Sequence, residues 1–128
     1  MENATVSYIQ LLREDLAIFR VVPKGPFPEY KAGQFLTLGL PVKSENNRVI
    51  NRAYSIASHP ENKKYFEFVI RWVRKPYHGR LTTAMFNLKE GDPIQWRKAN
   101  GTLTINDKLP NGEPDERRIV CILSLIHI

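Results

Sequence analysis

Apolar and polar residues alternate with a period of two through the first half of the chain, the spacing of strands that bury one face. Thr5–Leu12, Leu16–Val22 and Phe35–Leu40 read as three strands in turn. Ile50–Ser58 is a fourth, closed by the turn His59-Pro60-Glu61-Asn62. Tyr65–Val73 is the clearest, with Phe66, Phe68, Ile70 and Trp72 falling on one face. Pro23-Lys-Gly-Pro-Phe-Pro28 is loop material, because proline fixes φ and withholds a backbone donor. Val42–Arg48 is polar and predicts an exposed loop. Strand after strand before any helical spacing points to a sandwich or barrel of antiparallel strands.

The spacing changes at Leu81–Leu88, where Leu81, Met85 and Leu88 follow i, i+4, i+7. This predicts one short amphipathic helix, capped at its start by Thr82 or Thr83 and followed by Gly91. Pro93–Arg97 returns to strand, and Gly101–Ile105 predicts a short one. Lys108–Arg117 holds two prolines, a glycine and no apolar periodicity, and reads as a linker. Arg118-Ile-Val-Cys-Ile122 then has the apolar run of a strand buried in a parallel sheet. Such a strand needs neighbours on both sides. The expected organisation is therefore a barrel domain over 1–107, a linker over 108–117, and at 118–128 the first strand of a second, α/β domain that is cut short.

A chain of 128 residues suits one such domain and leaves little room for another. No apolar run approaches the roughly 18 residues of a membrane helix, and Met1-Glu2-Asn3 lacks the blocks of a signal peptide. The single cysteine, Cys121, excludes an internal disulfide framework and a cysteine-rich zinc site, and reads as a buried hydrophobe. A cytoplasmic location with no membrane span is expected. Net charge is +6, and the excess is local: Lys63–Arg80 holds six basic residues and one acid, Glu67. Such a segment is either a solvated face or an attractor of acidic partners. His59, His78 and His127 have no ligand spacing, so no metal site is expected. Trp72 and Trp96 read as core or half-exposed strand residues, and Glu90, Asp92 and Asp107 as turn acids.

Two segments carry candidate chemistry. In Asn51-Arg-Ala-Tyr-Ser-Ile-Ala-Ser58, Arg52 and Tyr54 share a strand face and Ser55 lies on the other. Arginine offers a two-pronged fork for phosphate, tyrosine a flat ring for stacking, and serine a small donor and acceptor. Alone, an alternating strand with Arg and Tyr is ordinary. Downstream, His78-Gly79-Arg80-Leu81-Thr82-Thr83 leads into the helix, where Gly79 permits close backbone approach and the helix start offers free N–H groups. Gly79 alone is equally a plain turn. A ligand with a flat ring and a pyrophosphate would use both segments.

These residues resemble a known family. Arg52-Ala53-Tyr54-Ser55 is similar to the R-x-Y-S flavin motif of the ferredoxin–NADP reductase superfamily, and Gly79-Arg80-Leu81-Thr82-Thr83 resembles its pyrophosphate-binding turn. Ala32-Gly33-Gln34-Phe35, Leu88-Lys89-Glu90-Gly91-Asp92 and Gly101-Thr102-Leu103 match in order, and the resemblance runs from about Val6 to Ile122. The wording Arg-Ala-Tyr-Ser-Ile-Ala-Ser is nearest the bacterial ferredoxin/flavodoxin–NADP reductases. The resemblance implies an all-β fold: a six-stranded antiparallel Greek-key barrel with one short capping helix. It also implies FAD as cofactor, with FMN the lesser alternative, NADP(H) as substrate of the whole protein, and an acidic ferredoxin or flavodoxin as partner.

Residue by residue, the resemblance implies that Arg52 binds the FAD pyrophosphate, with Ala53 beside it. Tyr54 would stack on the isoalloxazine ring and Ser55 bond near flavin N5, these two standing at the redox centre. Val69, Ile70 and Arg71 match the segment that meets the flavin and its adenylate portion, while Gly79, Leu81, Thr82 and Thr83 match the donors to the pyrophosphate. Two departures stand out. Arg80 replaces a common proline, and Leu123-Ser-Leu-Ile-His-Ile128 lacks the glycine- and threonine-rich turn that opens the NADP domain and resembles a translated sequencing adapter. Without that domain, little NADPH-dependent turnover is expected. Two alternatives remain: the flavin domain of another reductase (an oxygenase electron-transfer component or a flavin reductase), and a basic barrel for single-stranded nucleic acid. The charge favours the second and the motifs do not, so no nucleic-acid partner is expected.

Overall fold

A computed structural model describes residues 3–73, 79–102, 104, 108–114 and 116. Its strands are β1 (Ala4–Arg13), β2 (Leu16–Pro23), β3 (Phe35–Val42), β4 (Arg48–Ser55), β5 (Phe66–Arg71) and β6 (Pro93–Asn100), and the helix α1 (Arg80–Phe86) separates β5 from β6. All pairings are antiparallel, in the order β4-β3-β6-β1-β2-β5. The end strands meet where Ala57 N–H donates to the Glu67 carbonyl at 2.7 Å, so the sheet curls into a barrel. Around that barrel β3, β4 and β5 are neighbours in sequence, and β6 returns to lie beside β3, which is a Greek key. The expected six-stranded barrel with one short helix is thus the observed architecture.

Period-two alternation makes the core. Ala17, Phe19 and Val21 of β2, Leu36, Leu38 and Leu40 of β3, and Phe66, Phe68 and Ile70 of β5 point inward. Val6, Ile94 and the helix residues Leu81 and Met85 complete the packing. Burying each large side chain fully contributes about 1.5–3 kcal/mol. Phe66 is the aromatic hub, with ring centroids 4.5 Å from Phe27, 5.6 Å from Tyr30, 5.8 Å from Trp96 and 6.4 Å from Phe68.

Several boundaries differ from the sequence expectation, each for a physical reason. Val42 is buried and still pairs with Arg48, so β3 outlasts the apolar run. The expected loop shrinks to a 3-10 turn at Lys43–Glu45 and a reversal through Asn46 and Asn47, both left-handed (φ 57° and 61°), which asparagine tolerates. β6 runs on to Asn100 because its polar end stays in register with Phe35. Neither threonine caps α1. The N-cap is Gly79, with no side-chain bond, and both threonines lie inside the helix. The helix stops at Phe86, and Gly91 (φ 95°) turns the chain into β6 instead, its N–H reaching the Val6 carbonyl at 2.7 Å. Trp72 lies beyond the end of β5.

Gly101, Thr102 and Thr104 belong to no strand, while Leu103, Ile105 and the expected strand at 118–122 lie outside the described residues. Lys108 and Pro114 form an isolated antiparallel bridge. Among the described residues no helix is long and apolar enough to cross a membrane.

Candidate functional site

Among the described residues β4 and β5 part for most of their length, and Arg52, Tyr54 and Val69 lie along that opening, while Ile70 and Leu81 sit in the core. Glu67 directs its backbone away from β2, its N–H donating to Ser58 Oγ at 3.1 Å and its carbonyl accepting from Ala57. Peptide groups reverse sides at each residue of an antiparallel strand. Those of Val69 and Arg71 therefore also face the gap between β5 and β4, while those of Ile70 are turned toward Ala17 of β2. On the opposite bank Ile56 N–H donates back to Gln34 of the β3 side at 3.1 Å, and Ala57 faces β5. The same alternation turns Ala53 and Ser55 to the gap. Past the Ala57–Glu67 bond, no backbone hydrogen bond joins β4 to β5 among the described residues.

Directly opposed residues share a face, and Leu38 opposes Arg52 as Leu36 opposes Tyr54. Both leucines are fully buried, yet Arg52 is exposed and Tyr54 half-buried, because the barrel interior opens there. Burial pushes the Tyr54 phenol up to about 12, with the positive charge of Arg52 pulling the other way, so the ring is neutral at ordinary pH. Arg52 Nη1 donates to the Asn51 carbonyl at 2.8 Å, and the guanidinium meets no carboxylate among the described residues. Ser55 and Ala53 are exposed on the other face.

On β5 the Val69 side chain is 54% exposed and Ile70 sits in the core. Arg71 Nε lies 3.6 Å from Asp15 Oδ2, so a carboxylate balances its charge. At the start of α1, Gly79 N–H donates to the Val73 carbonyl at 2.7 Å and Thr83 N–H to the Gly79 carbonyl at 2.9 Å. First-turn amides lack partners inside a helix, which leaves those of Arg80, Leu81 and Thr82. A Cβ on Gly79 would strike Thr82 Oγ1 and come within 2.9 Å of Val73 Cβ, so glycine is demanded here by packing. Leu81 points into the core. Thr82 Oγ1 accepts from Val73 N–H at 3.2 Å and donates to the Gly79 carbonyl at 3.3 Å, while Thr83 Oγ1 accepts from Trp72 Nε1–H at 3.0 Å.

Three residues of this region escaped sequence reasoning. Ser58 latches the closed end of the seam. The Tyr30 hydroxyl supports it, 3.0 Å from the Ser58 carbonyl and 2.9 Å from that of His59. Trp72 ties β5 to the helix. No local spacing signals any of them, because their partners come from distant segments. The basic segment is also less bare than its composition implies. Lys63 pairs with Glu29 at 3.4 Å, Arg71 with Asp15, and Arg80 with Glu45 at 3.0 Å. Arg74, Lys75 and His78 lie outside the described residues.

A guanidinium that meets no carboxylate among the described residues, a neutral aromatic ring and peptide groups turned to the gap between β4 and β5 form a donor set that suits a flat polar ring carrying phosphate. Comparisons agree with that chemistry. Residues 3–105 match the family described as oxidoreductase FAD-binding domain. Flavodoxin/ferredoxin–NADP reductase of Buchnera aphidicola subsp. Baizongia pistaciae is 34% identical over 104 residues, 80% of this chain and 39% of the relative. That of subsp. Schizaphis graminum is 29% identical over 116 residues, 85% of this chain and 42% of the relative. This chain therefore spans about two fifths of the length of these curated relatives. In fold it is similar to a ferredoxin NADP+ reductase from Neisseria gonorrhoeae with bound FAD and NADP, with TM-score 0.67 and 22% identity over 79% of this chain and 38% of that one. It is also similar to the flavohem-like FAD/NAD binding domain of nitric oxide dioxygenase from Vibrio cholerae, with TM-score 0.73 and 18% identity over 84% and 46%.

Proposed function

The chain belongs to the oxidoreductase FAD-binding domain family, and from that premise we propose that it is the flavin-holding part of a reductase that moves electrons between NADP(H) and ferredoxin or flavodoxin. The observation that carries this reading is the unclosed β4–β5 seam, with Arg52 and Tyr54 side by side at its mouth. When bound, FAD supplies the redox chemistry, exchanging a hydride with a nicotinamide and single electrons with a carrier. The protein's part is to hold and orient. Arg52 offers its fork to the pyrophosphate, and Tyr54 lays a neutral ring against the isoalloxazine face. Ser55 presents its hydroxyl near N5, and the peptide groups of Ala53, Ser55, Val69 and Arg71 grip the polar edges of the ring. Ile70 fixes its strand through the core. Gly79 lets the first turn of α1 approach, with the Leu81 and Thr82 amides and the Thr83 hydroxyl as phosphate donors.

The names of the curated relatives favour a ferredoxin or flavodoxin partner, and the net charge of +6 suits an acidic one. A nicotinamide-binding part would lie in the length those relatives have beyond the matched region. A lone cysteine suits a reducing compartment such as the cytoplasm. The ion pairs on Lys63, Arg71 and Arg80 count against a nucleic-acid face.

The test is a titration of the full chain with FAD, followed by flavin absorbance and fluorescence. Saturable binding is expected, weakened roughly 10- to 100-fold by Arg52→Ala, as a charged hydrogen-bonding group is lost. Tyr54→Ala should also weaken it. A folded wild-type chain that binds no FAD overturns the reading.

A further inference from the structure

We propose that Trp72 is a positioning residue for the phosphate-bearing part of the flavin, acting through the Thr83 hydroxyl; the inference rests on the flavin reading above. The two adjacent threonines are wired differently. Thr82 Oγ1 both accepts, from Val73 N–H, and donates, to the Gly79 carbonyl, and its side chain is buried. That hydroxyl is wholly engaged in holding the turn together. Thr83 Oγ1 accepts the indole N–H of Trp72 at 3.0 Å, and its own proton meets no acceptor among the described residues. A hydroxyl has one proton to give. The bond from Trp72 occupies the oxygen's acceptor side and leaves that proton to be given elsewhere.

The surroundings carry positive charge. Thr83 lines a cavity of about 630 Å³ together with Lys43, with Arg80, which Glu45 pairs at 3.0 Å, and with Asn87, whose amide donates to the Thr83 carbonyl at 3.0 Å. Trp72 is itself held at both ends. Its backbone N–H donates to the Asp15 carbonyl at 2.8 Å, and its ring stacks on Phe86 with centroids 5.5 Å apart and planes at 24°. Phe86 in turn meets Phe19 of the core edge-on at 5.7 Å. Because Trp72 directly follows Arg71, one residue couples the bank that faces the flavin ring to the hydroxyl that faces the phosphate. Phenylalanine would keep the stack and lose the donor, so ring and N–H can be separated by mutation.

The experiment titrates FAD, FMN and riboflavin into the full chain as wild type, Trp72→Phe, Thr83→Val, Thr83→Ser and the Trp72→Phe/Thr83→Val pair, with thermal melts to check folding. Riboflavin lacks phosphate and is the internal control; where it binds weakly it is read by competition against FMN. Trp72→Phe should weaken FAD and FMN roughly 3- to 10-fold, the scale of one neutral hydrogen bond, and leave riboflavin within about 2-fold. Thr83→Val should show the same selectivity, Thr83→Ser should restore binding, and Trp72→Phe should add nothing once Thr83 is valine. Equal change for all three flavins, no change, or full additivity in the double variant overturns the inference while the flavin reading stands. A folded wild type that binds none of the three removes both.

Discussion

Two tyrosine-flanked arginines, Arg20 on the closed side of the barrel and Arg52 at the seam, show how one residue type serves two ends. The Arg20 guanidinium lies 4.4 Å from the ring centre of Tyr8 and 4.5 Å from that of Tyr65, with Nε bonded to Glu67 at 2.9 Å. Two rings and a carboxylate answer it from within the protein, beside strands that pair from Ala4↔Pro23 to Arg13↔Leu16. Arg52 has a neutral tyrosine two positions away, a carbonyl of its own strand, and no carboxylate among the described residues. Among the described residues no backbone hydrogen bond joins β4 to β5 beyond Ala57. What separates a structural arginine from an available one is thus the state of the sheet around it.

The closed side breaks first and hardest. Phe66→Ala removes the ring shared by Phe27, Tyr30, Phe68 and Trp96, and denaturant melts should show a loss of about 3–5 kcal/mol. Next comes an alkaline effect at the seam. The Tyr54 phenol holds its proton to about pH 12 in the folded chain, against 10.0 for the free group. The unfolded chain therefore releases its proton first. Stability is unaffected by this group below about pH 10 and falls by about 2–3 kcal/mol as pH rises toward 12. Tyr54→Phe should flatten that part of the decline in pH-dependent melts. Tyr30, also raised by burial, keeps its share in the variant.

Ser58→Ala should cost about 1 kcal/mol by leaving Glu67 N–H without its acceptor. Amide exchange at Glu67 should quicken, while exchange along β2 stays as it was. The smallest and most direct test is a pair of melts without flavin. Arg20→Gln should lower the melting temperature, whereas Arg52→Gln should change stability by no more than about 0.5 kcal/mol. Equal effects at the two positions would erase the distinction drawn between them.

The strands were legible in the sequence because burial alternates along them: Phe66, Phe68 and Ile70 announce a buried face whatever lies opposite. Arg52 and Tyr54 were legible for the same reason, two positions apart on one strand, and the motif they form carried the cofactor expectation. The ends of β3 and β6 were not, since Val42 and Asn100 are held by cross-strand register in polar surroundings. Nor were the threonines. A hydroxyl two or three residues into a helix looks like a cap until Val73 and Trp72, brought in from beyond the end of β5, are seen to claim it. The seam itself depends on which strands end as neighbours, and the Ser58 latch on a tyrosine and a strand far from it along the chain.

The unclosed seam bears on how this chain keeps company with itself. A row of unanswered peptide groups on a sheet edge is a template on which another strand can add. On β5 that edge includes Val69, whose apolar side chain stands in solvent, so the same edge that suits a small molecule also suits an added strand. A small molecule bound there also draws the population toward the monomeric native state by mass action. Retention of a ligand and resistance to self-association are, for this barrel, one property measured in two ways.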